Sequence, residues 1–141
     1  MVHVIHGGGG GGTAKGGQFT KLYTTGDAGV AGVAFTIDRA SSGSMVFDVM
    51  LTSDNSNSVS IAKKFTVASK LGTQAGDISF NKTIDTGPDG SNDFTAVFAA
   101  DGTSTTKIKC TITPAGMNTQ KIGITIDLGF GQNDATVVMN A

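Results

Sequence analysis

The sequence predicts an all-β chain, an antiparallel β-sandwich or jelly roll of about eight strands with an extended Gly-rich N-terminal arm. Three observations predict it. Short segments rich in Val, Ile, Phe and Thr alternate apolar and polar residues with a period of two, and they recur at spacings of about 8–15 residues. Clusters of turn-forming residues separate them. No segment carries a sustained helical period; Thr66 to Leu71 would support one helical turn and nothing more. A barrel is the alternative architecture, while the lack of a fixed-period repeat argues against a solenoid or propeller.

The arm is Met1 to Gly17, reading MVHVIHGGGGGGTAKGG, and the body is residues 18–141. Val2, Val4 and Ile5 form a short apolar, strand-like tip, followed by six consecutive glycines, Gly7, Gly8, Gly9, Gly10, Gly11 and Gly12. Glycine loses more backbone freedom on ordering than any other residue, and fixing one residue costs about 1–2 kcal/mol. Such a stretch holds a fixed path only against another surface. These nine residues are therefore the candidate assembly contacts, with Val2 to His6 adding as a strand to a neighbour's sheet edge.

Within the body, Gln18 to Thr24 alternates loosely and reads as a first strand, and Thr25 to Gly32 as a loop. Val33 to Ile37 places Val33, Phe35 and Ile37 on one face. Met45 to Thr52 turns Met45, Phe47, Val49 and Leu51 inward and leaves Val46 and Met50 outward, where they are available to a partner. After the Asp54 to Ser58 turn, Val59, Ile61, Lys63, Phe65 and Val67 share one parity, and Lys63 breaks an otherwise apolar row. Either a bulge falls near Lys63 and Lys64 or the strand bends there between two sheets. Ile78 to Ile84 is the next strand, and Thr86 to Asn92 (TGPDGSN) is the strongest turn signal in the chain. Asp93 to Ala99 carries Phe94, Val97 and Phe98. Thr105 to Thr113 aligns Ile108, Cys110 and Ile112 before Pro114-Ala115-Gly116 ends pairing. Gln120 to Leu128 has the cleanest alternation, and Ala135 to Met139 is a last short strand.

Ten Lys and Arg against eleven Asp and Glu give a net charge of -1, which supplies no electrostatic reason to expect nucleic acid or an anionic membrane as partner. Charged residues make up only 15%, so copies of the chain repel one another little. Cys110 is the sole cysteine, which rules out an intrachain disulfide and reads as a buried thiol on a strand. No run of 18 apolar residues is present, and the N-terminus lacks the basic start and apolar core of a signal peptide. The expected place of synthesis is a cytoplasm, without processing.

The residues that could carry chemistry do not assemble into a known site on sequence alone. The glycine run is not a phosphate loop: Thr13 and Ala14 separate it from Lys15, and Gly16 follows where a hydroxyl is needed. His3 and His6 are the only histidines and point to opposite faces of a strand, so one chain does not converge them on a metal. The body therefore has no histidine to serve a nucleophile. Asp38, Asp48 and Asp127 read as solvated strand-face carboxylates rather than a glycosidase pair. Asp85, Asp89 and Asp93, with Asn92, gather oxygen ligands in a way that slightly resembles a calcium loop, but turn chemistry explains each of them. With no Trp and one Tyr, aromatic sugar platforms are scarce, and most of the eight Phe follow the inward parity. No cofactor, metal or catalytic residue is expected.

In organisation, the Met start, the glycine-rich arm with a strand-like tip and the Thr/Ser/Asn-rich all-β body resemble small virion structural proteins of tailed bacteriophages. The comparison is with capsid decoration (cement) proteins and small fibre or tail-adaptor proteins. The resemblance implies a non-enzymatic component of the virion whose arm lies on the shell or on a neighbouring subunit. Its partners would be a major capsid or tail protein and sister subunits, in a homo-oligomer such as a trimer. Two alternatives stand beside it: a receptor-binding fibre domain presenting the Asp54 to Ser58 and Thr86 to Asn92 loops, and a subunit of a cellular filament or surface layer.

Overall fold

The computed structural model describes residues 13–15, 17–39, 44–54, 60–70, 78–86, 93–104, 106–115, 121–128 and 135–140. Among these described residues ten strands form: β1 (Thr13–Lys15), β2 (Gln18–Thr24), β3 (Gly32–Asp38), β4 (Ser44–Asp54), β5 (Ser60–Lys70), β6 (Ile78–Thr86), β7 (Phe94–Ala100), β8 (Lys107–Pro114), β9 (Lys121–Leu128) and β10 (Thr136–Met139). They make two five-stranded sheets, ordered β1-β10-β3-β8-β7 and β2-β9-β4-β5-β6. Every pairing is antiparallel. The expected all-β sandwich is present.

The pairing is nested: β1 with β10, β2 with β9, β3 with β8 and β4 with β5. A chain folded as one long hairpin and rolled over so that successive pairs alternate between two sheets gives this arrangement, which is the jelly roll. β6 and β7 are additional. They are inserted between β5 and β8, and each extends a different sheet by one strand at its edge.

Alternation fills the space between the sheets. Ile122, Ile124 and Ile126 of β9 and Ile108, Cys110 and Ile112 of β8 are buried, while their neighbours are at least partly exposed. Phe98 of β7 is the hub of an aromatic cluster, with ring centroids 5.2 Å from Phe65 and Phe80, 6.2 Å from Phe47 and 6.3 Å from Phe35. Phe35 and Phe98 come from one sheet and Phe47, Phe65 and Phe80 from the other. Tilted and edge-on contacts of this kind add about 0.5–1.5 kcal/mol per pair beyond area burial.

Three local readings change, and the facing of β7, left open by the sequence, is fixed. Residues 13–15, placed with the arm on sequence, are β1 and pair with β10 from Thr13 opposite Val138 to Lys15 opposite Thr136. Three residues between glycines leave no periodic signature to read. The helical turn allowed at Thr66 to Leu71 gives way to strand as far as Lys70, because Phe65, Val67 and Ser69 continue the inward row and pair in register with Val49, Phe47 and Met45. In β3 the register shifts between Val33 and Phe35, so Ala34 and Phe35 are both buried and Val33 leaves the inner face. In β7 the inward residues are Phe94, Ala96 and Phe98, and Val97 faces out at 50% exposure.

Candidate functional site

Lys63 explains the break in the apolar row of β5. Its side chain is buried, yet its ammonium is satisfied: Nζ donates to Asp85 Oδ1 at 2.9 Å and lies 3.0 Å from Asp93 Oδ1. The ring of Phe94 is beneath it, 5.5 Å from Nζ to the centroid. Lys82 joins from β6, 2.7 Å from Asp85 Oδ2. Asp93 is held in turn by the Phe94 amide, which donates to Oδ1 at 2.7 Å. A register shift between Lys64 and Phe65 in the β5–β6 pairing lets Asp85 come opposite Lys63. The bulge expected near Lys63 and Lys64 is thus observed.

Burial alone would lower the Lys63 pKa, but the hydrogen bonds to Asp85 and Asp93 and their charges outweigh it, and the net shift is upward. The hydrogen bonds from Lys82 and Lys63 hold Asp85 below the ordinary carboxylate value. Asp85 and Asp93, flagged on sequence as oxygen ligands for calcium, do converge, and a lysine ammonium occupies their meeting point. Asp89 and Asn92 lie outside the described residues. This cluster ties together β5, β6 and the entry to β7, the place where the two additional strands join the jelly roll.

The carboxylates on the strand faces are arranged differently from their order in the chain. Asp38 is in β3, in one sheet, whereas Asp48 and Asp127 are in the other and face each other across β4 and β9. Asp48 accepts a hydrogen bond from Thr66 Oγ1 at 2.8 Å on this outer face. Among the described residues no group of three or more His, Cys, Asp or Glu is placed to hold a metal ion.

The outer surface carries scattered apolar side chains: Leu22, Val30, Val46, Ile84, Val97 and Val138. Val46 is exposed as expected from its parity, while Met50 is half-buried. Sheet edges are the other feature available to a partner. Among the described residues the edges are β1 and β7 in one sheet and β2 and β6 in the other. Edge strands are usually guarded by charge, proline, a bulge or brevity. β1 has three residues, β2 carries Lys21, and β6 carries Lys82, Asp85 and a register shift. β7, reading FTAVFAA, has no charge and no proline, and pairs with β8 without a shift from Phe94 opposite Pro114 to Ala100 opposite Ile108.

Thr13, opposite Val138, begins β1 at the end of the sheet where β3 and β7 also begin and β8 finishes. Asn140 closes that end of β10: its amide donates to Ala34 O at 2.9 Å and its Nδ2 to Val33 O at 2.6 Å, the two carbonyls beside the β3 shift. Val2, Val4, Ile5 and Gly7 to Gly12 themselves lie outside the described residues.

The class these observations define is a jelly-roll sandwich with one added strand per sheet. Comparison with solved structures adds a particular likeness, to the tailspike protein of the Acinetobacter phage vB_ApiP_P1, with a TM-score of 0.53 and 11% identity. The match covers 86% of this chain and 22% of the tailspike, so this chain spans about a fifth of that protein's length. At this identity the likeness concerns the fold. No family model matches the chain, and neither does any of the curated proteins.

Proposed function

We propose that this chain is a non-enzymatic structural module of a bacteriophage particle, placed at the tail, which joins its neighbours through its sheet edges and N-terminal segment. The observation that carries this reading is the fold likeness to a phage tailspike over 86% of the chain. The organisation of the sequence supports it independently, since a glycine-rich segment before a weakly charged β-body suits a subunit held against other subunits. Capsid decoration, the first expectation from sequence, finds no counterpart in the tailspike likeness; the tail is the better supported site. A receptor-binding role within the tail is the second reading, favoured by the apolar side chains Leu22, Val30 and Val46, each more than half exposed.

The test is localisation. Gold-labelled antibody against the body, applied to purified particles from the source culture, is expected to mark tails. Label on the capsid shell would restore decoration, and particles without label would remove the virion reading. Binding of the purified body to host cells, absent with unrelated cells, would establish the receptor-binding role.

A further inference from the structure

We infer that the outer edge of β7 receives the N-terminal strand, residues 2–6, of a second copy of this chain, so that copies join head to tail through their β1–β10–β3–β8–β7 sheets. The inference rests on the assembly reading above and names its contact. β7 is the one edge among the described residues with none of the common guards against strand addition. Its seven residues form a regular, uncharged ladder, with Thr95 and half-exposed Val97 facing out and Phe94, Ala96 and Phe98 facing in. An incoming strand needs main-chain donors and acceptors and alternating side chains. Val2-His3-Val4-Ile5-His6 supplies both, with Val2 and Val4 on one face of an extended strand and Ile5 on the other, and contains no Asp, Glu, Lys or Arg.

Geometry favours another copy over the chain's own β7. The N-terminal segment departs from β1, at the opposite edge of the same sheet. A strand added outside β7 lies five inter-strand steps from β1, about 24 Å at about 4.8 Å per step. The chain from His6 to Thr13, fully extended, reaches about 24 Å. Folding back would therefore require the glycines to stand at full stretch across the end of the sandwich, the conformation that costs them the most entropy. A neighbour whose β7 edge lies beside this copy's β1 edge needs no such stretch. Because donor and acceptor edges are different surfaces, the contact is heterologous, and it closes into a ring where the rotation between copies permits.

Two full-length single variants test this, Val4→Cys and Val97→Cys, with Cys110 left in place because it is buried. Mixed in equal amounts with a short bis-maleimide, they are expected to give a cross-linked dimer containing one of each, identified by mass spectrometry of the joined peptides. A Val4→Cys/Val97→Cys double variant that cross-links only within single chains overturns the inference, as does a failure of the mixed variants to cross-link. As a second readout, Val97→Lys and deletion of residues 1–12 are each expected to convert the full-length oligomer to monomer while leaving the β-sheet circular dichroism unchanged. An oligomer that survives both changes also overturns it. None of these results bears on whether the protein is found on phage tails, which the localisation experiment decides separately.

Discussion

Replacing Lys63 with methionine is the perturbation that most directly examines how the two added strands are held. The side chain is 6% exposed and contacts two carboxylates, Asp85 at 43% and Asp93 at 22% exposure. A hydrogen bond to a charged group contributes about 1.5–3 kcal/mol when shielded, and an exposed pair contributes less than about 1. The Asp93 contact belongs nearer the first range. The Asp85 contact belongs to the second, because Lys82 remains 2.7 Å away as an alternative cation. Methionine refills the volume with apolar atoms and recovers about 1 kcal/mol of the loss. The net expectation for Lys63→Met is a destabilisation of roughly 2 kcal/mol at neutral pH, measured by urea unfolding. Adding Asp93→Asn removes the carboxylate left without its cation, so the double variant should be less destabilised than the sum of the single ones. A Lys63→Met protein as stable as the parent, or more stable, would refute the reasoning and reduce the cluster to an incidental surface pairing.

Three further outcomes follow from the same geometry. Asp85 titrates below its unfolded value and Lys63 above its own, so the cluster's contribution is present from about pH 4 to about pH 10. It is lost as pH falls through the lowered Asp85 value or rises through the raised Lys63 value; unfolding curves of Lys63→Met should lack the alkaline limb and keep an acid limb, because Lys82 still pairs with Asp85. A methyl group at Gly32 would overlap the Tyr23 hydroxyl, so Gly32→Ala should cost about 1–3 kcal/mol, and most of that should return in Gly32→Ala with Tyr23→Phe; no rescue in chemical denaturation would contradict the overlap. Burial raises the Cys110 thiol far above its ordinary value, so a thiol reagent at pH 8 should leave it unmodified in the native protein and label it fully in denaturant.

Much of the sandwich is legible in sequence because alternation reports directly which side of a strand is buried. Ile122, Ile124, Ile126 and Leu128 read as an inward row and are one. Alternation does not report which sheet a strand joins. Asp38 and Asp48 are near neighbours in the chain yet lie in opposite sheets, and Asp48 meets Asp127 instead, because the nested pairing is made by contacts far apart in sequence. Lys63 stood out as an anomaly in an apolar row, and Asp85 and Asp93 stood out as convergent oxygens. That they answer one another depends on which strand lies opposite β5: the broken apolar row at Lys63 pointed to a bulge, but the pairing that sets Asp85 across from it is not encoded locally. The β7 edge was legible in composition, but its position at the rim of a sheet is a property of topology.

The central claim is that this jelly roll belongs to a phage tail. Gold labelling of purified particles with antibody to residues 18–141 tests it most directly. Label confined to the tail, in a fixed number of copies per particle, is the expected result; label on the capsid shell, or particles that contain none of the protein, would contradict the account.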